Sequence, residues 1–194
     1  MKLLACFTIL LWDACPAQTL HGAGATFPAP LYRKWIASFQ KSHRESIIDY
    51  QETGSVAGAE QVLNGHADFA GSDVSLTDDQ PERAPIGVLQ IPTVIGAVAV
   101  VDNVQGQFRD LKFTPEVLAA IYLKKIRKWN DPAIASFNRG ERLPPAEITV
   151  VHRSDQSGTT WIWTTFLSEA SSEWKTGRCW DIHRLAGWNH CRKK

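Results

Sequence analysis

The sequence predicts an α/β protein built on a largely parallel sheet. Over its 194 residues, short β-branched runs alternate with stretches whose apolar residues recur at helical spacing. Glycine- or serine-rich turns stand directly before three of the helical stretches, as at the strand-to-helix corners of such sheets. Hydrophobic residues make up 44% of the chain and charged residues 21%, close to a globular average, so a packed interior is expected. No repeat or low-complexity segment interrupts the alternation.

In order, residues 29–43 (APLYRKWIASFQKSH) place Leu31, Trp35, Ile36 and Phe39 on one helical stripe, with Thr26 as cap and Pro28 in the first turn. Residues 46–51 (SIIDYQ) read as a strand. Ser55 is expected to cap a short helix from Val56 to Leu63, ended by Asn64 and Gly65. Residues 68–70 form a short strand closed by Gly71, Ser72 and Asp73. Two apolar β-branched runs, 86–91 and 94–101, are expected strands separated by Pro92. A change of lobe is expected near residues 92–100. Thr114, Pro115 and Glu116 supply the cap, the first-turn proline and the acidic residue of a helix. It is expected to run to about Ile126, with Val117, Leu118, Ile121 and Tyr122 inward. Loops follow at 130–132 and 143–145. Residues 148–151 (ITVV) read as a buried strand, and TTWIWTTFLSEA after it as a helix.

The first 17 residues are read as a secretory signal rather than as fold. Lys2 is the positive region, residues 3–12 the apolar region, and Cys15-Pro16-Ala17 approximates a small-residue cleavage site. Export to the periplasm follows, or a cell-surface location if Cys15 is lipidated. No other run is apolar and long enough to span a membrane. The remaining cysteines are Cys6, Cys179 and Cys191, so the body of the chain contains none to staple. Net charge is +1, which recommends no nucleic-acid surface. No metal-ligand spacing and no complete phosphate-binding Walker loop occur, and no cofactor is implied.

The chemistry concentrates in the three turns. HGAGATFPAP carries Thr26, TGSVAGAE carries Ser55, and SDQSGTTW carries Ser157, Gly158 and Thr159. Each offers backbone N–H groups at a helix start, where the peptide dipoles add partial positive charge. Any one hydroxyl alone reads as a helix cap. Three such turns, with Arg153 beside one of them, point to an anion site.

The motifs GAGATFPAPLY, YQ-x-x-GS, DFAGSD, QIPTVIGAVAV, IYLKKIRKWNDPAI and VHRSDQSGTTWIWTTFL follow one another in order, within a stretch from about residue 20 to residue 174. As a set they resemble the periplasmic phosphate-binding protein family of bacterial phosphate ABC transporters. The resemblance implies a two-lobed type II periplasmic binding protein architecture, incomplete in this chain, with phosphate held between the lobes. It divides the chain into residues 18–95 as part of the first lobe and 96–175 as part of the second. Inorganic phosphate and the membrane permease of the transporter are the implied partners, and the implied state is a monomer. Residue by residue, Thr26, Phe27 (through its backbone N–H), Ser55, Asp73, Arg153, Ser157, Gly158 and Thr159 match the family's phosphate contacts. Asp155 matches the carboxylate that orients the arginine.

Physical chemistry agrees with that assignment. A phosphate entering a closed cleft loses hydration, and many donors must replace it. Arg153 supplies planar, charge-assisted donors. An ionised Asp73 only accepts hydrogen bonds, so it pairs with a protonated phosphate oxygen and faces sulfate unpaired. By turn chemistry alone, Asp73 reads instead as a cap before Ser75. A rival reading is a phosphate-ester hydrolase with Ser157 as nucleophile and His152 as base. It lacks the GxSxG elbow and any residue to orient His152, and no catalytic residue is assigned. A third reading is a non-transporting phosphate-binding surface or signalling protein.

Residues 176–194 depart from the family pattern, which has a VGxGTxVxWPxG segment there. Shifting the reading frame by one base from Thr176, with synonymous codons chosen freely, can return R-V-G-A-G-T-S-I-G-W-P-V-G. The expectation is a frameshifted, truncated paralogue or a sequencing error. With it come exposed apolar faces, poor solubility and phosphate binding that is much weakened or lost.

Overall fold

The computed structural model describes residues 18–78, 80–104, 110–155 and 157–176. The proposed signal and, beyond Thr176, the divergent tail lie outside the described residues. No helix among the described residues is long and apolar enough to cross a membrane.

The N-terminal part is a three-stranded parallel sheet in the order β2-β1-β3. Strand β1 spans Gln18–Gly24, β2 Ser46–Gln51 and β3 Phe69–Gly71. The β1–β2 register runs from Gln18 opposite Ser46 to Ala23 opposite Gln51, and Gly22 to Gly24 face Phe69 to Gly71. Helix α1 (Ala29–Ser42) crosses between β1 and β2, and α2 (Ser55–Leu63) between β2 and β3. The predicted β-α-β-α-β order is therefore present, because parallel neighbours need a crossover and the sequence alternates accordingly.

Gly24 closes β1 with φ +134°, and a Cβ there would lie 2.0 Å from the carbonyl oxygen of Gly71. Only glycine allows β1 and β3 to converge at this point. The convergence brings the turn after β1 beside the turn after β3.

Four further helices follow, α3 (Pro115–Tyr122), α4 (Pro132–Ala135), α5 (Gly158–Ala170) and α6 (Ser172–Thr176), after a short 3₁₀ turn at Pro81–Arg83 and separated by extended and looping chain. The start of α3 is as predicted, with the Thr114 hydroxyl accepting from the Val117 N–H and Pro115 opening the helix. It ends earlier than expected. Lys124 adopts φ +60°, and the Lys125 N–H returns to the Ala120 carbonyl, closing the helix before Ile126. Ile126 is buried nonetheless, against Val117, Ile121 and Ile134. A second cluster joins Leu118 and Ala119 of α3 to Leu167 of α5 and Trp174 of α6. A third joins Val56 of α2 and Val74, with Trp161 of α5 packed on it. That last contact seats α5 against the sheet-bearing part of the chain.

Several sequence expectations need correction. Residues 86–91, 94–101 and 148–151 are not strands. Strand order comes from ladder bonds and cross-strand pairs, and these runs have no ladder partner among the described residues. Ile86, Ile95, Val101 and Val151 stand 84%, 97%, 88% and 80% exposed. Around 148–151 the alternation survives without a ladder: Ile148 and Val150 pack on the α3–α4 cluster while Thr149 and Val151 face solvent. The stripe on α1 is also not inward throughout, since Trp35 and Phe39 are nearly half exposed. Among the described residues nothing buries that face.

Candidate functional site

The three turns start three helices, yet only one of their hydroxyls caps its own helix. Ser157 does, accepting from the Thr160 N–H at 3.3 Å at the start of α5. Thr26 does not cap α1, whose cap position is Pro28. Ser55 does not cap α2 either, because it is the first helical residue and the cap position is Gly54. Both hydroxyls are thereby free to reach other elements.

The Ser55 hydroxyl is fully buried and accepts from the backbone N–H of Asp73 at 3.2 Å. This bond joins the second turn to the turn after β3. Asp73 does not cap that turn. Ser72 does so, accepting from the Val74 N–H at 3.1 Å and donating to the Val74 carbonyl at 2.7 Å. The Asp73 carboxyl is left half-buried. Burial raises its pKa, while the Ser55 hydrogen bond and the Arg153 charge pull it back down.

Arg153 is held from one side and reaches to the other. Its Nε donates to Asp155 Oδ1 at 2.8 Å, and a second nitrogen donates to Asp155 Oδ2. This two-point pairing fixes the guanidinium plane. It lowers the Asp155 pKa, chiefly through the hydrogen bond itself. The remaining terminal nitrogen donates to Thr26 Oγ1 at 2.8 Å. Pro28 sits where Thr26 was expected to act, so the Thr26 hydroxyl serves a residue far along the chain instead.

The start of α5 closes the arrangement. The Ser157 N–H donates to the Asp155 carbonyl at 2.7 Å, which ties the start of α5 to the residue that holds Arg153. A Cβ at Gly158 would lie 2.3 Å from Ser55 Oγ and 2.7 Å from the Asp73 side chain. The helix start therefore rests directly on the Ser55–Asp73 pair. Thr26, Ser55, Asp73, Arg153, Asp155, Ser157 and Gly158 thus gather in one place, and Thr159 stands in the first turn of α5. Phe27 is different. Its ring is 47% exposed and covers Gly96, where a Cβ would come within 2.2 Å of it.

His152 stands apart from the serine chemistry. Its Nδ1 is 2.9 Å from the Arg153 carbonyl oxygen, and the Ser157 hydroxyl is engaged with the Thr160 N–H. Among the described residues no group of three or more His, Cys, Asp or Glu is placed to hold a metal ion.

Sequence reasoning missed Tyr50. Its hydroxyl donates to the Ala25 carbonyl at 2.8 Å, immediately before Thr26. The available signal was an aromatic residue at the end of β2 inside the YQ-x-x-GS motif, and it carries no indication of which distant carbonyl it meets.

A family model described as the PBP superfamily domain matches residues 13–189. This chain belongs to the PBP superfamily. The α/β class read from the sequence is borne out by that match and by the parallel sheet. The chain is 46% identical over 164 residues to the phosphate-binding protein PstS of Pasteurella multocida, covering 82% of this chain and 46% of that protein. It is 38% identical over 160 residues to PstS of Haemophilus influenzae, covering 82% and 47%. PstS of Methanocaldococcus jannaschii is 40% identical over 168 residues, covering 80% and 41%. The family resemblance seen in the motifs is borne out by these relatives. The chain spans about half the length of the curated relatives it matches. An ABC-type phosphate transport receptor from Vibrio cholerae aligns with a TM-score of 0.48 at 20% identity, over 78% of this chain and 55% of that one.

Proposed function

We propose that this chain carries an inorganic-phosphate site and belongs to the receptor of a phosphate ABC importer. One observation carries the reading. Arg153, clamped by Asp155, reaches Thr26 across 127 residues of sequence, while the first residue of α5 rests on Ser55 and Asp73. The relatives named phosphate-binding protein support it.

In this reading residues 18–95 and 96–175 contribute opposite walls of a cleft. Thr26, the Phe27 N–H and Ser55 donate from one wall. Arg153, Ser157, Gly158 and Thr159 donate from the other. Hydroxyl and backbone donors at helix starts replace phosphate hydration without adding mobile charge. The Arg153–Asp155 pair adds charge-assisted donors and keeps the net charge of that wall low. Asp73 accepts a hydrogen bond from the O–H that phosphate retains and sulfate lacks, which makes it the selective residue. The protein binds without reacting: Ser157 is a helix cap and donor, not a nucleophile. Residues 1–17 direct export to the periplasm, where the membrane permease is the partner.

Calorimetric titration of the protein with inorganic phosphate and with sulfate tests the reading. Heat of binding with phosphate and none with equal sulfate is expected, with no release of p-nitrophenol from p-nitrophenyl phosphate. A folded protein that takes up neither anion overturns the proposal. Ester hydrolysis lost in Ser157→Ala replaces it with the hydrolase reading.

A further inference from the structure

The turn that bears Thr26 and Phe27 is tied to three neighbours through consecutive backbone groups. The Gly24 carbonyl accepts from the Gly54 N–H at 2.9 Å, immediately before Ser55. The Ala25 N–H donates to the Gly71 carbonyl at 2.8 Å, two residues before Asp73. The Ala25 carbonyl accepts from the Tyr50 hydroxyl at 2.8 Å. The first two ties run from backbone to backbone, at glycines whose missing side chains permit the approach. The third depends on one side chain.

Tyr50 is built into its position. It lies opposite Gly22 in the β1–β2 register. Its ring meets Tyr32 edge-on at 5.2 Å and stacks near Phe69 at 6.0 Å. A Cβ on Gly71 would come within 2.5 Å of its hydroxyl, so glycine at that point leaves room for the phenol. Burial, with the nearby Tyr32 and Asp73 groups adding to it, holds the phenol protonated and above its usual range. The group is therefore an O–H donor across all ordinary pH.

We propose that Tyr50 is a positioning residue of the phosphate site: its hydroxyl fixes the Ala25 carbonyl and, through it, the Thr26–Phe27 turn relative to Ser55 and Asp73. This rests on the phosphate reading. An oxyanion contacted from several turns at once needs those turns held at fixed separation, because misplacement of a donor forfeits its hydrogen bond. Tyr50 is the side-chain brace between β2 and that turn.

The test compares Tyr50→Phe with Tyr32→Phe in the full 194-residue chain. Tyr32→Phe removes a hydroxyl from the same aromatic cluster, but that hydroxyl shares its 2.7 Å bond with Thr93 and not with the turn. Amide hydrogen exchange needs no ligand. Tyr50→Phe is expected to speed exchange at residues 25–27 about tenfold, and Tyr32→Phe to leave it unchanged. Titration with inorganic phosphate is expected to show affinity about tenfold weaker in Tyr50→Phe only. Unchanged exchange at residues 25–27 overturns the proposal, as does equal acceleration throughout the sheet in both variants. Failure of the unsubstituted, folded protein to bind phosphate sinks the phosphate reading instead, and the exchange data still decide the brace.

Discussion

Arg153 donates to the hydroxyl of Thr26 at 2.8 Å while two of its other nitrogens are held by Asp155. The guanidinium thus bridges two turns that the chain separates by 127 residues. Asp155 determines where the bridge can point, because a two-point carboxylate pairing leaves the planar group a single orientation.

Asp155→Asn should therefore separate binding from stability. The pair is substantially exposed, and exposed ion pairs contribute little to folding. The melting temperature should change by no more than about 2 °C. Phosphate affinity should fall about 10- to 100-fold, since Arg153 then samples many orientations and one charge-assisted bond is lost. Calorimetric titration beside thermal melts checks both.

Asp73→Asn should act in the opposite sense on stability. Burial raises the Asp73 pKa in the folded state. Between the ordinary Asp value, about 3.9, and the raised value, the folded protein holds more protons than the unfolded chain. Stability consequently falls as pH rises through that window, and an ionised Asp73 destabilises the fold above it. Asparagine removes this effect. The variant should melt higher than the natural protein at pH 7 and at nearly the same temperature at pH 3. Its discrimination of phosphate from sulfate should drop at least about 100-fold, because the amide offers sulfate a donor. Melts across pH and paired anion titrations measure the two effects.

Gly158→Ala sets helix propensity against packing. Alanine favours a helix by about 1 kcal/mol over glycine. Here its methyl group would lie 2.3 Å from Ser55 Oγ and 2.7 Å from Asp73, so α5 must withdraw from that wall. Phosphate affinity should fall at least about tenfold with helical content retained. Titration and far-ultraviolet circular dichroism on the same sample test it; undiminished affinity would show that the contact has no bearing on binding.

Local structure was legible where one short stretch held the whole explanation. The Thr114-Pro115 start of α3 needs only its own four residues, and the hydrogen bond forms as the spacing predicts. The Ser157 cap is equally local. The β-α-β-α-β order follows from the alternation of runs, because each parallel neighbour requires a crossover. The clamp of Arg153 by Asp155 also lies within three residues. By contrast, Thr26 and Ser55 each stand at a helix start with a hydroxyl that could cap, and both serve distant groups. Local pattern ranks the cap first because the competing partner is invisible in sequence.

Residue order alone was enough for the β-α-β-α-β succession at the N-terminus, the starts of α3 and α5, and the kinds of chemical group offered at each turn. Those depend on steric and hydrogen-bonding preferences that act within a few residues. Distances between elements set which hydroxyl caps a helix and which meets Arg153 or Asp73, and they bring the Tyr50 hydroxyl to the Ala25 carbonyl. Packing in space likewise leaves the β-branched runs at 86–101 without a ladder partner among the described residues. A strand exists only when a neighbour supplies its other half of the hydrogen bonds, and a site only when separate turns meet. Both are properties of distance in space, which the order of residues along the chain does not contain.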